Sequence, residues 1–268
     1  MSKGRKVERK IEIDASPDVV WKALTDAEEL KRWFPLDARV RPGEGGSLWL
    51  SWGEGSEWET PIEIWQPPRH LRTVDTTPGK EGAGPLRVAV DYLIEAGEGT
   101  TTVRIVHSGF ADDAWDDEID SIDSGWAAFL AGMKHYLERH GGQQRRLVSF
   151  RHPPVALPRP EVFGRTMAAL GLDPASLRPG SRYETTTRGG DRFEGVTALL
   201  APPINFTATV ENWNDGFLMV EIEPGRGRCR PAVWLSLYGE ARGSGDAVEE
   251  RLRTLLRAEF AGNSAPEG

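Results

Sequence analysis

His107 is the residue in this chain whose type and position lend themselves most directly to chemistry. It sits near the end of an apolar strand, beside Phe110. An imidazole there can donate to a ligand carbonyl or, with a pKa near neutral, act as a general base. No carboxylate in the sequence is spaced to orient it, and a histidine satisfied by backbone or solvent is the plainer account. The second chemical feature is acidic: Asp112, Asp113, Asp116, Asp117, Glu118, Asp120 and Asp123 supply oxygen ligands. They lack the glycine and the alternating ligands of a calcium loop. Negative charge near a helix start, continued along a solvated face, explains them without a cation, so no metal is expected. The third feature is aromatic, because eight of the ten Trp residues (Trp21, Trp33, Trp49, Trp52, Trp58, Trp65, Trp115 and Trp126) lie in the first half. Large rigid side chains with one donor each suit a cavity for an apolar or aromatic ligand; the same residues also suit simple core packing.

Other chemistries are excluded by what the chain lacks. Cys229 is the only cysteine, so neither an internal disulfide nor a thiolate metal cage can form. There is no metalloprotease His pair and no nucleophile elbow, and the Gly-rich stretches 43–46 and 79–84 lack the pattern of a phosphate or dinucleotide loop. His135 and His140 are five apart and should diverge on a helix. No catalytic residue and no cofactor follow, and a non-enzymatic role is favoured. Net charge is -8, which argues against general affinity for nucleic acid. No apolar run is long enough to cross a bilayer and no apolar stretch follows the basic N-terminus, so a cytoplasmic protein is expected. The oligomeric state is open.

The elements that must position these side chains follow from periodicity. Val7, Arg9, Ile11 and Ile13 alternate with Glu8, Lys10 and Glu12 as a half-buried strand does. Ser16 and Pro17 open a short helix, and Thr25 or Asp26 caps a second, which carries Leu30, Trp33 and Phe34 before Pro35 ends it. Residues 40–110 read as an antiparallel meander punctuated by Gly, Pro and acidic turns. Trp115, Ile119, Ile122, Trp126, Phe129, Met133 and Tyr136 then recur at spacings of three and four, the stripe of a long amphipathic helix ending near Gly141.

The chain also repeats itself. Pro17-Asp18-Val19-Val20 is echoed by Pro160-Glu161-Val162-Phe163, Gly46-Ser47-Leu48-Trp49 by Gly180-Ser181-Arg182-Tyr183, and Ile64 to Pro68 by Leu199 to Pro203, with a one-residue change of offset between the last two. Two copies of one domain are expected: residues 1–142, residues 143–262 as a divergent copy, and a disordered tail over 263–268. The first 142 residues hold 17 Lys and Arg against 26 Asp and Glu, whereas the rest hold 16 against 15, so the copies have drifted apart in surface chemistry.

The first half resembles the activator of heat-shock-protein-90 ATPase homologue-like family within the START/Bet v 1-like superfamily. The segments that carry the resemblance are Ile11 to Trp21, Leu30-Lys31-Arg32-Trp33-Phe34, His107-Ser108-Gly109-Phe110, and Gly125-Trp126 with Phe129 and Leu130. The second half lacks the last two motifs. The resemblance implies an α+β fold of two tandem helix-grip domains, each a curved antiparallel sheet around a long C-terminal helix. It implies a cavity faced by Trp33, Trp49, Trp65, His107, Phe110, Trp126 and Phe129, and a small hydrophobic or aromatic ligand there. Two alternatives come with it: a protein-interaction or co-chaperone-like module with a protein partner, or a cyclase or aromatase-type enzyme using His107.

Overall fold

In the computed structural model, residues 5–53, 55–77, 86–110, 116–225 and 228–263 are described. They fall into two compact units, Met1–Gly142 and Gln143–Gly268. The expected tail from 263 onward lies, beyond its first residue, outside the described residues. The fold is α+β in both units, as two tandem helix-grip domains require.

The first unit opens with β1 (Arg5–Ile13), followed by α1 (Pro17–Thr25) and α2 (Ala27–Lys31). The second short helix starts at Asp26, whose carboxylate accepts from the Glu29 amide at 3.0 Å, satisfying one of the amides a helix leaves open at its start. Six further strands follow: β2 (Asp37–Arg41), β3 (Ser47–Ser51), β4 (Glu57–Gln66), β5 (His70–Thr77), β6 (Leu86–Ala96) and β7 (Thr101–Phe110). All pair antiparallel in the order β1-β7-β6-β5-β4-β3-β2, so the first strand closes against the last. The long helix α3 (Asp116–Arg139) lies across the face that carries Val7, Ile11, Val103, Ile105 and Tyr92. Trp115, the first residue of the expected stripe, is outside the described residues.

The second unit has β8 (Arg146–Arg151), α4 (Arg159–Ala169), β9 (Arg182–Thr186), β10 (Arg192–Ala201), β11 (Asn205–Val210), β12 (Gly216–Gly225), β13 (Arg228–Leu237) and α5 (Gly245–Glu259). Its strand order, β8-β13-β12-β11-β10-β9, is that of the first sheet without β2. The repeat extends to single hydrogen bonds. A bulge interrupts pairing between Ile62 and Ile64 in β4, and another between Thr197 and Leu199 in β10. The turns that follow both carry a cis Pro-Pro bond, Pro67-Pro68 and Pro202-Pro203. Gly45 donates to Ile62 as Gly180 donates to Thr197, and the Ile62 and Thr197 amides return to Gly46 and Ser181. The offset is therefore constant through this region. The one-residue change expected from the sequence is absent, and Leu48, not Trp49, corresponds to Tyr183.

One polar knot ties α2 to the far end of α3. The buried Tyr136 hydroxyl donates to Glu29 Oε2 at 2.6 Å and accepts from the Gly142 amide at 3.0 Å, while Arg32 pairs with Glu29 Oε1 at 2.5 Å. His140 lies just past the helix end, and this lets its ring come within 5.3 Å of the His135 ring, against the divergence expected of a continuous helix. No described helix is long and apolar enough to cross a membrane.

Tyr136→Phe removes a hydroxyl that serves a charged acceptor and a backbone amide at once. It should cost about 1–3 kcal/mol of stability, read as a lower urea midpoint at unchanged slope.

Candidate functional site

The concave face of the first sheet is organised in cross-strand rows. One row runs Val7, His107, Val90, Thr73, Ile62; the next runs Arg9, Ile105, Tyr92, Leu71, Trp65. Tyr92 and His107 are diagonal neighbours on adjacent strands, close enough for long side chains to share a ligand. Above them α3 brings Trp126, whose ring lies 5.9 Å from Tyr92 and 5.7 Å from His107, and Phe129, 5.3 Å from Trp126. Edge-to-face contacts continue outward from Phe129 to Phe34 (4.6 Å), Trp52 (5.0 Å) and Trp58 (5.0 Å), with Trp33 4.8 Å from Phe129. Trp58 is 54% exposed, so the aromatic chain runs from the surface to His107.

Phe110 reaches this cluster through a bulge. Lys6 pairs with Ser108 and Arg5 with Phe110, leaving Gly109 as an extra residue. Without it Phe110 would alternate to the convex face; with it the Phe110 ring lies 4.7 Å from His107. Gly109 has φ +97°, and a Cβ there would sit 2.0 Å from the Arg87 carbonyl oxygen. Only glycine fits, which gives the His107-Ser108-Gly109-Phe110 motif its physical reason.

Of the residues expected to face the cavity, Trp33, His107, Phe110, Trp126 and Phe129 are brought together. Trp65 is on the concave face but meets Trp21 of α1, edge to face at 5.1 Å, away from that cluster. Trp49 is a correction. It pairs across the sheet with Arg39 and Glu59, on the face of Ser47 and Ser51, and the Arg39 guanidinium stacks 4.3 Å from its ring. Leu48 and Leu50 point the other way. A one-residue error in aligning the two copies flips a strand side chain to the opposite face. Tyr92 and Thr73 are additions with no signal in the sequence, and Phe34, Trp52 and Trp58 join the cluster without having been expected to face the cavity. Of the acidic run, residues 112 and 113 lie outside the described residues and nothing is described of side chains 116–118; Asp123 pairs with Arg9 at 2.6 Å. No metal-holding group of three occurs among the described residues.

The hydrogen bonding fixes the state of His107. The Trp126 indole N–H, which can only donate, gives its hydrogen bond to His107 Nδ1 at 3.0 Å. Nδ1 is therefore the lone-pair nitrogen and Nε2 carries the hydrogen. Burial pushes the imidazole down to about 4, so the ring is neutral at physiological pH. Burial likewise raises the Tyr92 phenol well above its ordinary value. Trp33 spends its indole N–H on the Ala23 carbonyl at 3.0 Å.

The helix seals only part of the sheet. Met133 and Tyr136 are fully buried, whereas Ile119, Ile122 and Trp126 keep accessible surface, as do Val88, Val90, Tyr92 and His107 beneath them. The second domain differs at the matching positions. The Ile94 amide donates to Arg69 as Ile222 donates to Ile204, which sets Val220 in the place of Tyr92 and Leu235 in the place of His107. Val220, Leu235 and the neighbouring Leu218 are completely buried in a continuous apolar core.

Two outcomes follow. Folding holds His107 neutral while the unfolded ring titrates near 6.5, so this group's stability contribution is complete above that pH and is lost as pH falls towards 4. In His107→Leu, acid unfolding of the first domain should lose that part of its pH dependence, up to ~3 kcal/mol; an NMR titration should show the wild-type ring as the Nε2–H tautomer. Gly109→Ala should cost at least about 1–2 kcal/mol from backbone strain alone and displace Phe110, visible as loss of its ring-current shift on His107.

Comparison with known proteins adds the family. Residues 14–138 match the family described as activator of Hsp90 ATPase homolog 1-like protein. No curated protein matches the chain significantly. Among solved structures, protein MLL2253 from Mesorhizobium loti is 22% identical, covering 51% of this chain and 98% of its own, with a TM-score of 0.45. The Aha1 dimer from Colwellia psychrerythraea is 24% identical over 52% of this chain and 98% of its own, with a TM-score of 0.44. DynU16, from the dynemicin biosynthetic locus, is 20% identical and covers 95% of this chain and 94% of its own, with a TM-score of 0.44. It is thus the first domain of this chain, over residues 14–138, that is similar to the activator of Hsp90 ATPase homolog 1-like family.

Proposed function

We propose that the first domain binds a small, largely apolar or aromatic ligand between its sheet and α3, and that the second is a closed structural copy. The observation that carries this is the exchange of Tyr92 and His107 for Val220 and Leu235 at matched positions of the two sheets. Leaving accessible polar tips and half-buried aromatic rings on the inner face of a sheet costs stability unless something occupies the space. The second copy takes the cheaper solution of a filled apolar core. Neutral, mostly aromatic walls with a few polar groups are the ordinary composition of a small-molecule site.

The enzyme alternative required His107 as a base. Its free lone pair is committed to Trp126, and Nε2 already holds a hydrogen, so the ring is arranged to donate. The interaction-module alternative leaves the cleft without a role, and a ligand titration separates it from the proposal.

Trp126 lines the site, so binding should be visible in the intrinsic fluorescence. With 2-ethylnaphthalene as probe, the full-length protein should show saturable quenching. Val90→Phe, which fills the concave face, should weaken it at least ~10-fold. Absence of saturable binding, or an unchanged curve in Val90→Phe, would count against the proposal.

A further inference from the structure

The polar ends that face the cleft are unequal in kind, and this specifies what the ligand must present. The two indole N–H groups packed against Phe129 are spent inside the protein: Trp33 on Ala23 and Trp126 on His107. Phe34, Phe110 and Phe129 contribute no polar atom. The ionic pair on this face, Arg9 with Asp123, is bidentate and internally neutral. Around Trp126 this leaves, among the described residues, His107 Nε2–H, a donor without a protein partner, and the hydroxyls of Tyr92 and Thr73. Tyr92 is a diagonal neighbour of His107, and Thr73 lies two strands along the same row.

We infer that the ligand is uncharged and carries a carbonyl-type oxygen on an aromatic or conjugated body, the oxygen accepting from His107 Nε2–H and the Tyr92 hydroxyl while the rings of Trp126 and Phe129 hold the body. This rests on the binding role proposed above and adds its polarity. A ligand ending in an ammonium would meet His107 Nε2–H donor to donor and bring a charge to a face whose described carboxylate, Asp123, is already held by Arg9. A carboxylate would have to be buried here without a described cation free to pair with it. A carbonyl oxygen offers two lone pairs, matching two donors.

The measurement compares two probes of nearly equal shape, 2-acetylnaphthalene and 2-ethylnaphthalene, binding to the full-length protein by tryptophan quenching. The carbonyl probe should bind about 10-fold or more tighter, because the apolar one strands two desolvated donors. Tyr92→Phe removes one of the two donors and should take most of that preference away, in part by tightening the binding of 2-ethylnaphthalene, which then strands one donor fewer. Long-range nitrogen–proton NMR should show the His107 Nε2–H signal shifting with 2-acetylnaphthalene and holding still with 2-ethylnaphthalene. This readout does not depend on any variant folding. Equal affinity for both probes with an unmoved His107 signal overturns the inference and leaves the binding role standing. Failure of both probes to bind overturns the binding role and the inference with it.

Discussion

A curved antiparallel sheet with one apolar face must cover that face, and a single straight helix cannot seal all of a concave surface. That mismatch is the constraint behind the rest of this structure. In the first domain α3 is held tightly at its C-terminal end, where Tyr136, Glu29 and Arg32 lock it to α2 and where Met133 sits at full burial. Towards its N-terminal end the helix leaves accessible surface on both itself and the sheet. The polar knot fixes one end, Phe129 packs among Trp33 and Phe34, and the aromatic rings of Trp126 and Tyr92 continue from there to His107.

The two copies solve the same problem in opposite ways. They share strand order, the bulge ahead of the Pro-Pro turn and the hydrogen bonds around it, all of which are backbone matters. They part at side chains on the concave face. Val220 and Leu235 fill the second sheet's interior, while Tyr92 and His107 in the first keep polar tips among aromatic rings. Buried polar atoms need partners, so the first copy carries an internal device of its own: an indole donor that takes one imidazole nitrogen and leaves the other presenting its hydrogen.

Much of this architecture was legible before any coordinates. The α3 stripe announces itself because seven apolar residues at helical spacing leave little alternative, and Thr25 or Asp26 reads as a cap because each stands three residues before a glutamate, Glu28 or Glu29; the structure uses Asp26. Trp33, His107, Phe110, Trp126 and Phe129 were legible as a set through the family motifs that hold them. Trp49 was misplaced and Tyr92 missed for one reason: in strands the face alternates every residue, so a correct strand with a register off by one inverts every assignment. A lone Tyr in the alternation of β6 gives no sign of which face it takes. His135 and His140 met because the helix stops between them, and helix ends are the least defined feature of a periodic pattern.

The sequence by itself determined the element order, the repeat, the aromatic loading of the first copy and, with Cys229 alone, that no internal disulfide forms, since composition and period are local properties. Only the tertiary structure decided which polar atoms meet on the concave face and which nitrogen of His107 accepts a hydrogen bond. His107 is oriented by Trp126, nineteen residues away, and by burial, and its neighbour Tyr92 comes from another strand. The tautomer of a ring depends on what its two nitrogens touch across space, and no pattern along the chain encodes that contact.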